Sequence, residues 1–186
     1  KRVMFFWIQK IHLQKIMLTL FKNKIYKYVY ICISMSKYDN IFLELAKNLS
    51  KLSYANRKKV GALIVKDNSI IADGYNGTPA GYSNECEDSN GNTHWYVLHA
   101  EANAITKLAK CGQSCIGSTL YITMSPCKEC TKLIIQSGIS RVVYSSKYKD
   151  QSGIDFLGNF NIKCEYITDG SSWDFWRKYR SWLGSA

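Results

Sequence analysis

Apolar residues recur at helical spacing over residues 38–52. Ile41, Leu43, Leu45, Leu49 and Leu52 form the stripe of a predicted amphipathic helix, with Asp39 in its first turn. The period then shortens. Residues 60–65 and 69–75 read as two strands joined at the turn pair Asp67-Asn68, a hairpin. A glycine-rich stretch over 74–94 follows, and long loops inside compact domains are often functional. Helical spacing returns over 99–110 and closes at Gly112. Residues 119–123 predict a strand. Pro126 fits the first turn of a helix that runs to about Gln136 and stops at Gly138. Strands are predicted over 139–144 and 162–167, with a loop between them, and a terminal helix over 173–182.

Alternation of strand and helix argues an α/β fold, with helices covering both faces of a largely parallel sheet. The opening antiparallel hairpin makes the sheet mixed and gives it five strands. The 186 residues suit one domain with a real core, and 46% apolar with 21% charged residues is ordinary globular composition.

The formal net charge of +11 suggests nucleic acid until it is located. Lys1, Arg2, Lys10, Lys15, Lys22, Lys24 and Lys27 all fall in residues 1–34, which hold no acid. The remainder has 18 basic against 14 acidic residues, so no polynucleotide partner is expected of the domain. Residues 1–34 are rich in large apolar side chains, but Lys10, His12 and Lys15 break the run. It is neither a spanning segment nor a signal peptide. They read as an extension of doubtful status, translated upstream sequence, rather than a membrane-surface helix. The domain is expected over 35–186. Seven cysteines, an odd number with no clean secretory signal, fit a reduced cytoplasmic chain with some thiols on metal.

The chemistry sits in two short pieces, His99-Ala100-Glu101 and Pro126-Cys127-Lys128-Glu129-Cys130. Cys-x-x-Cys at a helix start places two thiols near one point, where the macrodipole favours thiolate. His99 opens the other helix. Three such ligands leave a fourth tetrahedral position open, the arrangement of catalytic zinc. Glu101, two residues from His99, points elsewhere and is free to move protons between water, a ring nitrogen and leaving ammonia.

These pieces, in this order, resemble the zinc-deaminase signature. The likeness extends over 60–88, 97–105 and 119–144 (VGALIVKDNSIIADGYNGTPAGYSNECED, VLHAEANAI, TLYITMSPCKECTKLIIQSGISRVVY), where the chain resembles the deoxycytidylate (dCMP) deaminases of the cytidine/deoxycytidylate deaminase superfamily. His99 differs from the cysteine usual in cytidine deaminases. Ser125-Pro126-Cys127 differs from the Glu-Pro-Cys usual in tRNA adenosine deaminases.

The resemblance implies a three-layer α/β/α cytidine-deaminase-like fold and hydrolysis of dCMP to dUMP and ammonia, which supplies thymidylate synthesis. It implies zinc held by His99, Cys127 and Cys130, with Glu101 as the proton shuttle. Gly74, Tyr75, Asn76, Gly77 and Ser125 would line a nucleotide or regulatory region. There dCTP would activate and dTTP inhibit, within trimers or hexamers, and Mg²⁺ would enter only with a regulatory dCTP. Asn76 reads equally as a contact to sugar or base and as a turn residue. Cys86 and His94 are either part of a second, structural zinc site or unligated loop residues. Two other readings remain: a tRNA or single-strand nucleic-acid deaminase, and a non-catalytic zinc or nucleotide-binding module.

Overall fold

A computed structural model of the chain describes residues 38–167. The extension over 1–34 and the terminal helix expected over 173–182 lie outside these residues. In chain order the elements are α1 (Asp39–Ser50), β1 (Gly61–Lys66), β2 (Ser69–Tyr75), α2 (Ala100–Lys110), β3 (Thr119–Ile122), α3 (Lys128–Gln136), β4 (Arg141–Tyr144), α4 (Ser152–Gly158) and β5 (Lys163–Tyr166). Among the described residues, no helix is long and apolar enough to cross a membrane.

The five strands form one mixed sheet in the order β2-β1-β3-β4-β5. β1 runs antiparallel to both β2 and β3, whereas β3, β4 and β5 are parallel. Asp67 (φ 50°) and Asn68 (φ 59°) both take left-handed backbone, as a two-residue hairpin turn requires. The register aligns Gly61, Tyr75, Ile122 and Tyr144 at one end of the sheet. Lys66, Ser69, Thr119 and Arg141 lie towards the other.

One face of the sheet carries the larger core. Ile64, Leu120, Ile122, Val142 and Tyr144 pack there with Ala104 and Leu108 of α2, Ile134 of α3 and Leu157 of α4. α1 covers the opposite face, where the Phe42 ring sits 5.0 Å from that of Tyr121. These are the three layers.

Two expectations change. α1 buries Asp39, Phe42, Leu43 and Ala46, while Ile41, Leu45 and Leu52 of the expected stripe are exposed. Two neighbouring stripes of this helix are apolar, and Gly61 decides between them. A Cβ there would stand 2.0 Å from the Ala46 carbonyl oxygen, so only a glycine lets α1 approach β1 on its Ala46 side. The other change is α4, which occupies the stretch read as a loop. With seven residues, two of them glycine, it shows no readable period. Packing makes it: a Cβ on Gly153 would meet Thr131 Oγ1 at 2.7 Å, so α4 lies directly against the start of α3.

Candidate active site

Both halves of the site sit at helix N-caps. His99 precedes α2 with extended backbone (φ −75°, ψ 158°), and Cys127 precedes α3 in nearly the same conformation (φ −77°, ψ 171°). The cap position usually holds a short side chain that bonds back to the helix backbone. Here neither side chain does so, which leaves imidazole and thiol free to meet each other. Pro126 therefore lies just before the cap rather than in the first turn. Cys130 stands one turn inside α3 and is buried.

His99 Nδ1 lies 3.3 Å from Cys130 Sγ and 3.5 Å from Cys127 Sγ. The three ligand atoms all fall within 4.8 Å of one another. Zinc bonds of about 2.0–2.3 Å at tetrahedral angles require ligand separations of about 3.6 Å, so the spacing fits. Two thiolates and an imidazole are also the donor set zinc favours. Among the described residues this is the one group of three or more such ligands placed to hold a metal. Cys86 is buried and pairs through its backbone carbonyl with the His94 N–H at 2.9 Å, while the His94 ring stacks on Tyr96. The six described cysteines are all free thiols.

The electrostatics match a site built for a cation. Hydrogen bonds from Cys130 and then from His99 outweigh burial and pull the Cys127 thiol down to about 3. Cys130 moves the opposite way, pushed up by its hydrogen bond to Cys127 and by burial. Metal binding requires both sulfurs as thiolates and is therefore coupled to proton release. His99 is raised by its hydrogen bond to Cys127. Glu101 is 4% exposed, and burial lifts its carboxyl to about 7.

A cleft over the cluster is lined by His99, Glu101 and Cys127 and also by Asn76, Ser125 and Tyr148. Arg57 and Lys58 form part of its wall. Glu87 fixes this wall by accepting the backbone N–H groups of Asn56 and Arg57. Asn76 is held firmly: its side-chain oxygen accepts the Val60 N–H at 2.8 Å and its amide donates to the Lys58 carbonyl at 2.8 Å. Tyr148 and Gln151 were not singled out in the sequence, since neither belongs to a motif.

The other members of the glycine stretch go elsewhere. Gly74, Tyr75 and Gly77 line a second cavity together with Tyr82, Asn103 and Lys107. Gly74 also has a packing role, because a Cβ there would meet the Ala100 carbonyl oxygen at 2.3 Å. Its absence lets the first turn of α2, which carries Glu101, close on β2. Gly74→Ala is expected to cost about 1–3 kcal/mol, as core overpacking does. Urea denaturation would measure this, and an unchanged midpoint would show that α2 has room to retreat. The loop aromatics neither join the core nor line the metal cleft: Trp95 is 93% exposed, and Tyr82 packs edge-on against Tyr96.

Residues 36–146 match the family described as the cytidine and deoxycytidylate deaminase zinc-binding region. The deoxycytidylate deaminase of Mycobacterium phage D29 is 39% identical over 125 residues, covering 60% of this chain and 96% of the relative. That of Enterobacteria phage T4 is 36% identical over 164 residues, covering 65% and 85%. The dCMP deaminase of cyanophage S-TIM5, solved in complex with dCMP and dUMP, superimposes with a TM-score of 0.69 at 41% identity. That match covers 72% of this chain and 99% of that one.

Proposed function

The chain belongs to the cytidine and deoxycytidylate deaminase zinc-binding family, and from that premise we propose that it hydrolyses dCMP and water to dUMP and ammonia. The observation that carries this reading is the His99–Cys127–Cys130 cluster, two of whose members line one cleft with a buried carboxyl, Glu101. His99, Cys127 and Cys130 would hold the zinc. Bound zinc supplies Lewis-acid activation of water near neutral pH. Glu101 accepts the first proton that the water gives up and passes it to the ring nitrogen, then takes up the second and passes it to the amine, which leaves as ammonia. Arg57 and Lys58 on the cleft wall offer the positive charge a phosphorylated nucleoside needs.

Regulation belongs to the second cavity. There Gly74, Tyr75 and Gly77 would take dCTP, with Mg²⁺, or dTTP, in a trimer or hexamer. The free thiols suit the cytoplasm, and a chain beginning at Met35 would keep full activity. Cys86 and His94 would need further ligands to hold a second zinc.

The test offers the purified chain dCMP, dCTP, CMP, deoxycytidine and a tRNA, and measures ammonia from each. dCMP is expected to be turned over fastest. Release from the tRNA alone would overturn the reading, and steep salt dependence would accompany it. Cys130→Ala is expected to reduce tightly bound zinc to background by elemental analysis and to abolish ammonia release. Full zinc content in that variant would remove Cys130 from the ligand set.

A further inference from the structure

Gln151 stands outside the metal cluster and belongs to no motif, yet its amide determines what a wall residue of the cleft can do. Gln151 Nε2 donates to the Tyr148 backbone carbonyl at 2.6 Å. A carbonyl oxygen only accepts, so the atom facing it is the amide nitrogen and the orientation of the amide is settled. The same nitrogen lies 3.1 Å from Ser125 Oγ. An amide nitrogen cannot accept, so Ser125 Oγ is the acceptor there as well. The Tyr148 N–H donates to that oxygen too, at 2.7 Å.

A serine hydroxyl has two acceptor positions and one hydrogen. Both acceptor positions of Ser125 are thus occupied, and its hydrogen has no acceptor among the described residues. The residue is 3% exposed and lines the cleft that holds His99, Glu101 and Cys127. A buried hydroxyl hydrogen without a partner is uncommon. Tyr148 lines the same cleft, so the contact that orients Ser125 also anchors the 148–151 turn.

We propose that Gln151 is a positioning residue that, with the Tyr148 backbone, holds Ser125 as an obligate hydrogen-bond donor to an oxygen or nitrogen acceptor of the bound nucleotide. This rests on reading the cleft as the nucleotide site. Gln151→Glu keeps the shape of the side chain and reverses its hydrogen bonding. The carboxylate accepts the Ser125 hydrogen and withdraws it from the substrate. Gln151→Ala leaves that hydrogen free. A carboxylate oxygen would also face the Tyr148 carbonyl, so a purely structural role is told apart by a lowered melting temperature and by additive effects in the double variant.

The experiment measures KM and kcat for dCMP in zinc-loaded Ser125→Ala, Gln151→Glu, Gln151→Ala and the Ser125→Ala/Gln151→Glu double variant, with melting temperature and zinc content alongside. Ser125→Ala and Gln151→Glu are each expected to raise KM about 2- to 10-fold, the size of one hydrogen bond, while kcat changes little. Gln151→Ala should raise it less, and the double variant no more than the larger single effect. An unmoved KM in Ser125→Ala, a larger loss in Gln151→Ala than in Gln151→Glu, or additive effects in the double variant would overturn the assignment. A wild-type chain that neither binds nor deaminates dCMP would overturn the proposed function and this inference together. Normal wild-type turnover with any of the adverse rankings would overturn this inference alone.

Discussion

Glu101→Gln is expected to retain zinc and lose turnover by about 10²–10⁴-fold, the usual contribution of a positioned acid–base group. That corresponds to about 3–5 kcal/mol of transition-state stabilisation. The substitution is nearly isosteric at a position only 4% exposed, so the wall of the cleft is preserved. The amide can still hydrogen-bond, but it cannot relay the two protons of water, one to the ring nitrogen and the other to the departing amine. KM should therefore move far less than kcat. Ammonia release and zinc analysis on the same preparation test both halves. Normal turnover would mean that another group moves the protons, and lost zinc would mean that Glu101 supports the metal.

The largest stability effect is expected on the other side of the sheet. Asp39 is fully buried and receives two hydrogen bonds from the Arg141 guanidinium, at 2.9 and 2.7 Å, and one from the Tyr121 hydroxyl at 2.6 Å. Arg141 also bonds Glu165. Burial works against the Arg141 charge, but its bonds to Asp39 and Glu165 outweigh that and raise its pKa. Asp39→Ala leaves the partly buried Arg141 with Glu165 and takes the acceptor from the buried Tyr121 hydroxyl, and breaking such a pair costs towards the lower end of about 3–5 kcal/mol. Typical domains have only about 5–15 kcal/mol in total. Replacing both partners, Asp39→Leu with Arg141→Met, should cost less than the single change, because the fully buried charge is removed together with its partner and Glu165 keeps its ion pair with Lys163 at 2.9 Å. Denaturant unfolding would decide, and a single-variant loss below about 1 kcal/mol would refute the argument. The network lies at the end of the sheet remote from the metal ligands. The folded fraction of each variant should keep its KM.

How legible these features are in the sequence depends on the range of the interaction that makes them. The hairpin turn at Asp67-Asn68 and the ligand pieces at His99 and Cys127 are local, and their residue types carry their own reasons. Asp39 reads locally as an acid in a helix first turn, favourable to the dipole. Its actual partner is 102 residues away, and no short-range pattern points to that pairing. The burial of Phe42 rather than Ile41 has the same origin, since the glycine that selects the face belongs to another element. Asn76 and Gly74 belong to one motif, yet they serve different cavities: Gly74 lies within β2, whereas Asn76 follows its last residue and is turned by its bonds to Val60 and Lys58. The 148–151 turn and α4 owe their form to contacts with the α3 start, so the stretch shows no periodicity from which Gln151 could be singled out.

The mixed sheet has a consequence for how freely this protein can change. In an all-parallel sheet, the crevice at the carboxyl ends of the strands is open only to the loops that leave them. Here β1 enters from the metal end and β2 returns to it, so the open end of the hairpin faces the cleft together with the ends of β3 and β4. Segments arriving and segments departing both contribute side chains to the wall: Lys58 from the segment that enters β1, and Asn76, Ser125 and Tyr148 from those that leave β2, β3 and β4. The connections at the far end, Asp67-Asn68 and the turns at Gly117 and Gly138, touch none of this. Substrate preference and scaffold thus occupy opposite poles of one sheet. A change confined to the Asp67-Asn68 turn is therefore expected to leave what the cleft accepts unaltered.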